Sequence, residues 1–135
     1  MAEIRRLEAA IRSEVDAVVT AQRVRLAACD LDYSVVGQTM VNTAVLEITR
    51  NMVKYAGSGW LRVTQVGNTD RPGLCIVAED RGPGIADVRL ALEDGYSTGE
   101  SLGLGLPGAR RLMDSFEIRS AVGQGTWVRM VKWRT

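Results

Sequence analysis

Three clusters of residues in this chain have types and spacings that could do chemistry. The first lies in Glu47-Ile48-Thr49-Arg50-Asn51-Met52-Val53-Lys54. On a helix advancing about 100° per residue, Glu47, Asn51 and Lys54 stand at i, i+4 and i+7 and share one polar stripe. Val41, Ala44, Val45, Ile48, Met52 and Tyr55 fall on a broad neighbouring face that reads as core-facing. An acid, an amide and an amine would then line the rim of a buried helix. Taken alone, the stripe reads first as a solvated face with an ordinary Glu–Lys pair.

The second cluster is Asp80-Arg81-Gly82-Pro83-Gly84, directly after the apolar run Leu74-Cys75-Ile76-Val77-Ala78. An acid at the C-terminal end of such a strand can accept a hydrogen bond from a ligand amino group, and Gly82 and Gly84 let the chain turn tightly over that ligand. A plain β-turn has the same composition. The third cluster is Gly103-Leu104-Gly105-Leu106-Pro107-Gly108. Its Gly-x-Gly-x-x-Gly spacing matches a dinucleotide fingerprint, but it follows a polar loop rather than a strand and has no acid about 20 residues on. It also lacks the Lys-Ser/Thr of a P-loop. Small residues that let backbone N–H groups approach an anion, with Pro107 suited to a first helical turn, offer a helix N-terminus to a phosphate. A flexible connection leading into a helix reads the same way.

Positioning these clusters takes a particular set of elements. Residues 3–11 suggest a short edge strand. Ser13 with Asp16 marks an N-cap, and Val15, Val18, Val19, Val24, Leu26, Ala27 and Ala28 recur at helical spacing toward Asp30. The second helix runs from near Ser34 to the breaker Gly57-Ser58-Gly59. The period then changes to two. Trp60–Val66 and Leu74–Ala78 flank the turn residues Asn68–Gly73 and should form a hairpin. A short helix near Asp87–Leu92, a polar loop over Glu93–Ser101 and a helix through Ala109 to Ser115 follow. Phe116–Ala121 and Thr126–Trp133 close the chain as two strands. The order predicts one α+β domain over residues 1–135: a two-layer sandwich with helices on one face of a mostly antiparallel, mixed sheet.

Composition removes several function classes. Lys and Arg total 17 against 16 for Asp and Glu, a net charge of +1, so nothing draws the chain to nucleic acid or an anionic membrane. The absence of histidine excludes a Ser-His-Asp triad, a His-based metal site and an autophosphorylating histidine. No apolar run approaches the ~20 residues that span a bilayer, and the N-terminus lacks a signal-like apolar stretch, so a cytoplasmic protein is expected. Cys29 and Cys75, far apart and in apolar surroundings, suggest buried reduced thiols.

Taken in order, Glu47-x-x-x-Asn51, Asp80-x-Gly82-x-Gly84, Gly103-x-Gly105-x-x-Gly108 and Gly125-Thr126 resemble the motifs of the GHKL (Bergerat-fold) ATPase and kinase superfamily, from about Thr39 to Thr126. Within it, Glu47–Asn51, Ala78–Ile85, Glu93–Thr98 and Leu104–Asp114 resemble the anti-sigma-factor type of serine/threonine kinase, in particular the switch kinases of stressosomes. The resemblance implies that Asn51 holds Mg²⁺ against the phosphates of ATP and that Glu47 is the general base for an attacking hydroxyl. It implies that Asp80 binds the adenine amino group with Thr126 in support, and that Gly82 and Gly84 shape the adenine pocket. Residues 94–105 would be a lid over the nucleotide, with Gly103, Gly105 and Gly108 near the phosphates and Lys54 adding positive charge. Histidine kinases of the superfamily carry asparagine where Glu47 stands. The implied function is a partner switch. Such a kinase phosphorylates STAS-domain scaffold or antagonist proteins and, once released, activates a PP2C-type phosphatase in a sigma-factor cascade. Sequestration of a sigma factor, or nucleotide binding without phosphotransfer, are the alternatives.

Overall fold

Alternating apolar and polar residues dictate a sheet with one covered face, and the chain builds it from five strands. The computed structural model describes residues 6–85 and 105–135. Its elements are β1 (Arg6–Ile11), α1 (Glu14–Asp30), α2 (Val35–Ala56), β2 (Gly59–Gly67), β3 (Pro72–Asp80), α3 (Gly105–Leu112), β4 (Ser115–Ala121) and β5 (Gly125–Trp133). The short helix near 87–92, the polar loop 93–101 and all of the lid segment except Gly105 lie outside the described residues.

The strand order is β1-β2-β3-β5-β4, and every described pairing is antiparallel. Register places Leu7, Val63, Ile76, Met130 and Phe116 in one row across the sheet, and Ala9, Leu61, Ala78, Val128 and Ile118 in the next. These rows join a core with the buried faces of the helices. The opposite face carries the row Ala10, Trp60, Glu79, Trp127 and Arg119. There Arg81 lies over the Trp60 ring at 5.6 Å and Arg119 over Trp127 at 5.0 Å, while Arg71 covers Trp133 at 5.2 Å.

Ser13 caps α1 as its sequence predicts, its side chain accepting a hydrogen bond from the Asp16 N–H at 3.1 Å. The buried face of α1 differs from the expected one. Ala17, Thr20, Ala21, Val24 and Ala28 are buried, whereas Val15 is 71% exposed and Val19 52%, with Val18 and Leu26 also open. Small side chains let α1 lie close against α2, so packing selects the alanine face over the valine face. In α2, Val41, Ala44, Val45, Ile48 and Met52 are buried as expected, but Tyr55 is 44% exposed and Thr49 takes a core position. Thr49 tolerates full burial because its hydroxyl donates to the Val45 carbonyl at 2.7 Å. Cys75 is buried; Cys29, expected to be buried too, is exposed near the end of α1. Pro72 opens β3 two residues earlier than the turn composition suggests, at a first-residue position that proline tolerates.

Among the described residues, no helix is long and apolar enough to cross a membrane.

Candidate active site

The covered face of the sheet changes character at the C-terminal end of β3. The two apolar rows give way to a third row of Asp80, Thr126 and Ser120, each the cross-strand partner of the next. Cross-strand partners project to the same face, so three polar side chains stand where the core stops. Asp80 is half-buried. Its Oδ1 accepts a hydrogen bond from the Gly82 N–H at 2.8 Å, which fixes the carboxylate over the turn. Among the described residues its other oxygen has no partner, leaving an acceptor for a ligand donor.

The two glycines behind Asp80 are required by contact rather than by flexibility alone. A Cβ on Gly82 would lie 2.4 Å from Cβ of Ala56, so the turn rests on the last residue of α2. Gly84 has φ +76°, and a Cβ there would lie 2.0 Å from the carbonyl oxygen of Ala121. The first contact brings β3 and the end of α2 to one place. The second seats the turn on the β4–β5 hairpin, where the Gly123 N–H also donates to the Pro83 carbonyl at 2.8 Å.

Glu47, Asn51 and Lys54 occupy the C-terminal half of α2, leading toward that junction. Glu47 and Asn51 are half-buried and Lys54 is exposed. Lys54 Nζ lies 5.5 Å from the centre of the Tyr55 ring, so its ammonium rests on a neighbouring aromatic face. Gly105 begins α3, which packs on α2, and Pro107 is buried in its first turn. A Cβ at Gly108 would meet nothing within 4 Å, so packing does not demand glycine there. Gly103 lies outside the described residues. Among those described, no group of three or more Cys, Asp or Glu could hold a metal ion. An amide oxygen such as that of Asn51, completed by phosphate oxygens and water, is a donor set that Mg²⁺ accepts.

Sequence reasoning missed Ser120. Its Oγ lies 2.8 Å from Thr126 Oγ1, accepts from the Ile85 N–H at 2.8 Å and reaches the Gly125 carbonyl at 2.9 Å. A lone serine in an alternating strand carries no signal of its own. The signal was the hairpin register: pairing Ala121 with Gly125 across the turn sets Ser120 opposite Thr126.

An antiparallel sheet under two long helices, with an acid at the end of β3 and glycine turns seated on α2 and the last hairpin, defines a class. The chain belongs to the family described as Histidine kinase-like ATPase domain, which it matches over residues 2–132. It is similar to the serine/threonine-protein kinase RsbT of Bacillus subtilis (strain 168), with 45% identity over 123 residues, 91% of this chain and 92% of that one. It is also similar to the anti-sigma F factor of Pasteuria penetrans, with 33% identity over 109 residues, 76% and 72% of the two chains. The mycobacterial sensor histidine kinase MprB shares the fold, with a TM-score of 0.58 at 19% identity over 98% of each chain.

Proposed function

We propose that the chain is an ATP- and Mg²⁺-dependent serine/threonine protein kinase that works as a cytoplasmic partner switch. The observation that carries the reading is the Glu47–Asn51 pair, one turn apart on α2, in a chain 45% identical to a protein named as such a kinase. The path along α2 supports it. Ala56 touches the turn after Asp80; Asn51 comes five residues earlier, about 7.5 Å of helix rise, and Glu47 nine residues earlier, about 13.5 Å. A nucleotide with its base at Asp80 would extend its phosphates toward Asn51 and present the last of them near Glu47.

In this reading Asp80 accepts a hydrogen bond from the adenine amino group, with Thr126 beside it. Gly82 and Gly84 keep side chains out of the space the base would take. Asn51 would hold the metal, whose charge offsets that of the phosphates. Glu47 would take the proton from a serine or threonine hydroxyl of the partner as that oxygen bonds to phosphorus and the bond to ADP breaks. By resemblance, the partners are STAS-domain scaffold or antagonist proteins of a stressosome. Release from them would free the kinase to activate a PP2C-type phosphatase.

The test is to incubate the protein with Mg²⁺, γ-labelled ATP and a STAS-domain partner, then locate label by mass spectrometry. Phosphoserine or phosphothreonine on the partner is expected. ATP binding without transfer would leave a nucleotide-dependent regulator. A second reading, a sequestering anti-sigma factor, draws on the 33% identity to an anti-sigma F factor. Capture of a sigma factor by a protein that transfers no phosphate would favour it.

A further inference from the structure

The row Asp80–Thr126–Ser120 holds one residue that the nucleotide reading does not use. Ser120 has one hydroxyl proton and three polar neighbours. The Ile85 N–H, at 2.8 Å, can only donate to it. The Gly125 carbonyl, at 2.9 Å, can only accept from it. For all three contacts to be hydrogen bonds at once, the single proton goes to Gly125 and the 2.8 Å contact with Thr126 is made by the Thr126 hydroxyl donating to Ser120. Thr126 has then spent its own proton. Toward Asp80, its cross-strand partner, it can offer only lone pairs.

We infer that Ser120 is a specificity-determining positioning residue that fixes the hydroxyl of Thr126 as an acceptor, so that the end of the pocket selects a purine with an amino group at position 6 over one with a carbonyl. The inference rests on the proposed nucleotide site and adds the reason for its base preference. Asp80 is an acceptor in any case, but one carboxylate leaves Thr126 free to turn its proton toward a ligand carbonyl. With Ser120 in place that proton is committed, and two adjacent acceptors meet the amino group of adenine. The carbonyl of hypoxanthine would meet the same two acceptors and find no donor. A buried polar group left without its partner is the usual source of strong discrimination between near-isosteric ligands. Ser120 need not touch the base for this, since it acts through Thr126.

The experiment measures the affinities of ATP and ITP, with Mg²⁺, by calorimetry on the full chain and three variants. Wild type should bind ATP the tighter. Ser120→Ala should lower the ATP-to-ITP affinity ratio by about tenfold, the worth of roughly one neutral hydrogen bond. Ser120→Thr keeps the hydroxyl and should keep the ratio. Ser120→Cys, whose thiol is a weak donor and acceptor, should lie between them and carries the test if the alanine variant does not fold. A merely structural serine would give an equal loss for both nucleotides, and an unchanged ratio in Ser120→Ala or Ser120→Cys overturns the inference. Wild-type protein that binds neither nucleotide removes the nucleotide site itself, and the inference with it.

Discussion

The two ends of the sheet are built on opposite plans. At the end where β3 starts, polar groups are tied down. The Tyr33 hydroxyl donates to the Lys132 carbonyl. Lys132 Nζ donates to the Leu112 carbonyl at 3.0 Å and lies 3.6 Å from Asp114, whose other oxygen accepts from the Trp133 N–H at 2.7 Å. Arg134 reaches the carbonyls of Leu31 and Asp70, and its own N–H donates to the Pro72 carbonyl. These bonds sew the α1–α2 connection, the β2–β3 turn and the C-terminal strand into one clamp. At the end where β3 finishes, an Asp80 oxygen has no partner among the described residues, and the Thr126 hydroxyl meets only Ser120 among them. Charged and polar groups cost stability when buried without partners, so one end can stay open only if another holds the fold. The bonded end holds the fold, and the proposed nucleotide site takes the opposite end of the same strands.

Mutations that separate these tasks sharpen the comparison, and mutations that mix them break it. The largest effect is expected at Glu47. Glu47→Ala should lower phosphoryl transfer by roughly 10²–10⁴-fold, the usual contribution of a positioned base, while ATP affinity stays close to wild type. Calorimetry paired with mass spectrometry of the partner checks both halves, and transfer at the wild-type rate would remove the base role.

Next comes Asp80→Asn, which turns one acceptor oxygen into a donor facing the adenine amino group. ATP affinity should drop by about 10–100-fold, in line with loss of a charge-assisted hydrogen bond. The thermal midpoint should barely move; a large fall would mean that the open end also carries the fold.

The smallest effect belongs to the clamp. Tyr33→Phe deletes the bond to Lys132 and should cost about 1 kcal/mol of stability with no change in ATP affinity. It should also change the alkaline limb of the stability profile. Burial, with the charge of Asp114 behind it, pushes the Tyr33 phenol up from 10.0 to about 12. Between those values the folded chain holds a proton that the unfolded chain has lost, so the contribution of Tyr33 is complete below pH 10 and disappears as pH rises toward 12. Urea titrations across that window should show a steeper loss for wild type than for Tyr33→Phe. A parallel loss in both would place the alkaline transition elsewhere.

What could be read from the sequence follows from which signals are local. The change of period after Gly59, the Ser13 cap and the acid ending an apolar strand are local, and the structure places all three as expected. The buried side of α1 is not local. Both of its faces carry apolar residues, and only the approach of α2 decides that Ala17 and Ala21 go inside while Val15 and Val19 stay out. Exposure of Cys29 has the same origin, since it lies on a helix whose inner face was set by its neighbour. At the candidate site, the tight turn after Asp80 was legible because Gly82 and Gly84 each stand where a side chain has no room. Ser120 acquires meaning only through its register with Thr126, a relation between strands rather than a property of either.

The indoles set back to back with the core give the molecule an optical asymmetry. All three tryptophans of the chain project from the sheet face turned away from the helices, each beneath a guanidinium. Tryptophan emission from this protein therefore originates on one side only. A base seated beside Asp80, as proposed, would arrive on the other side and should leave the emission spectrum nearly still. Anything that settles on the back of the sheet must displace water from around Trp60 or lift Arg81 and Arg119 from their rings, and the emission maximum should move with it. The protein carries, without any label, a gauge of what covers its sheet that is almost blind to the occupant of its pocket.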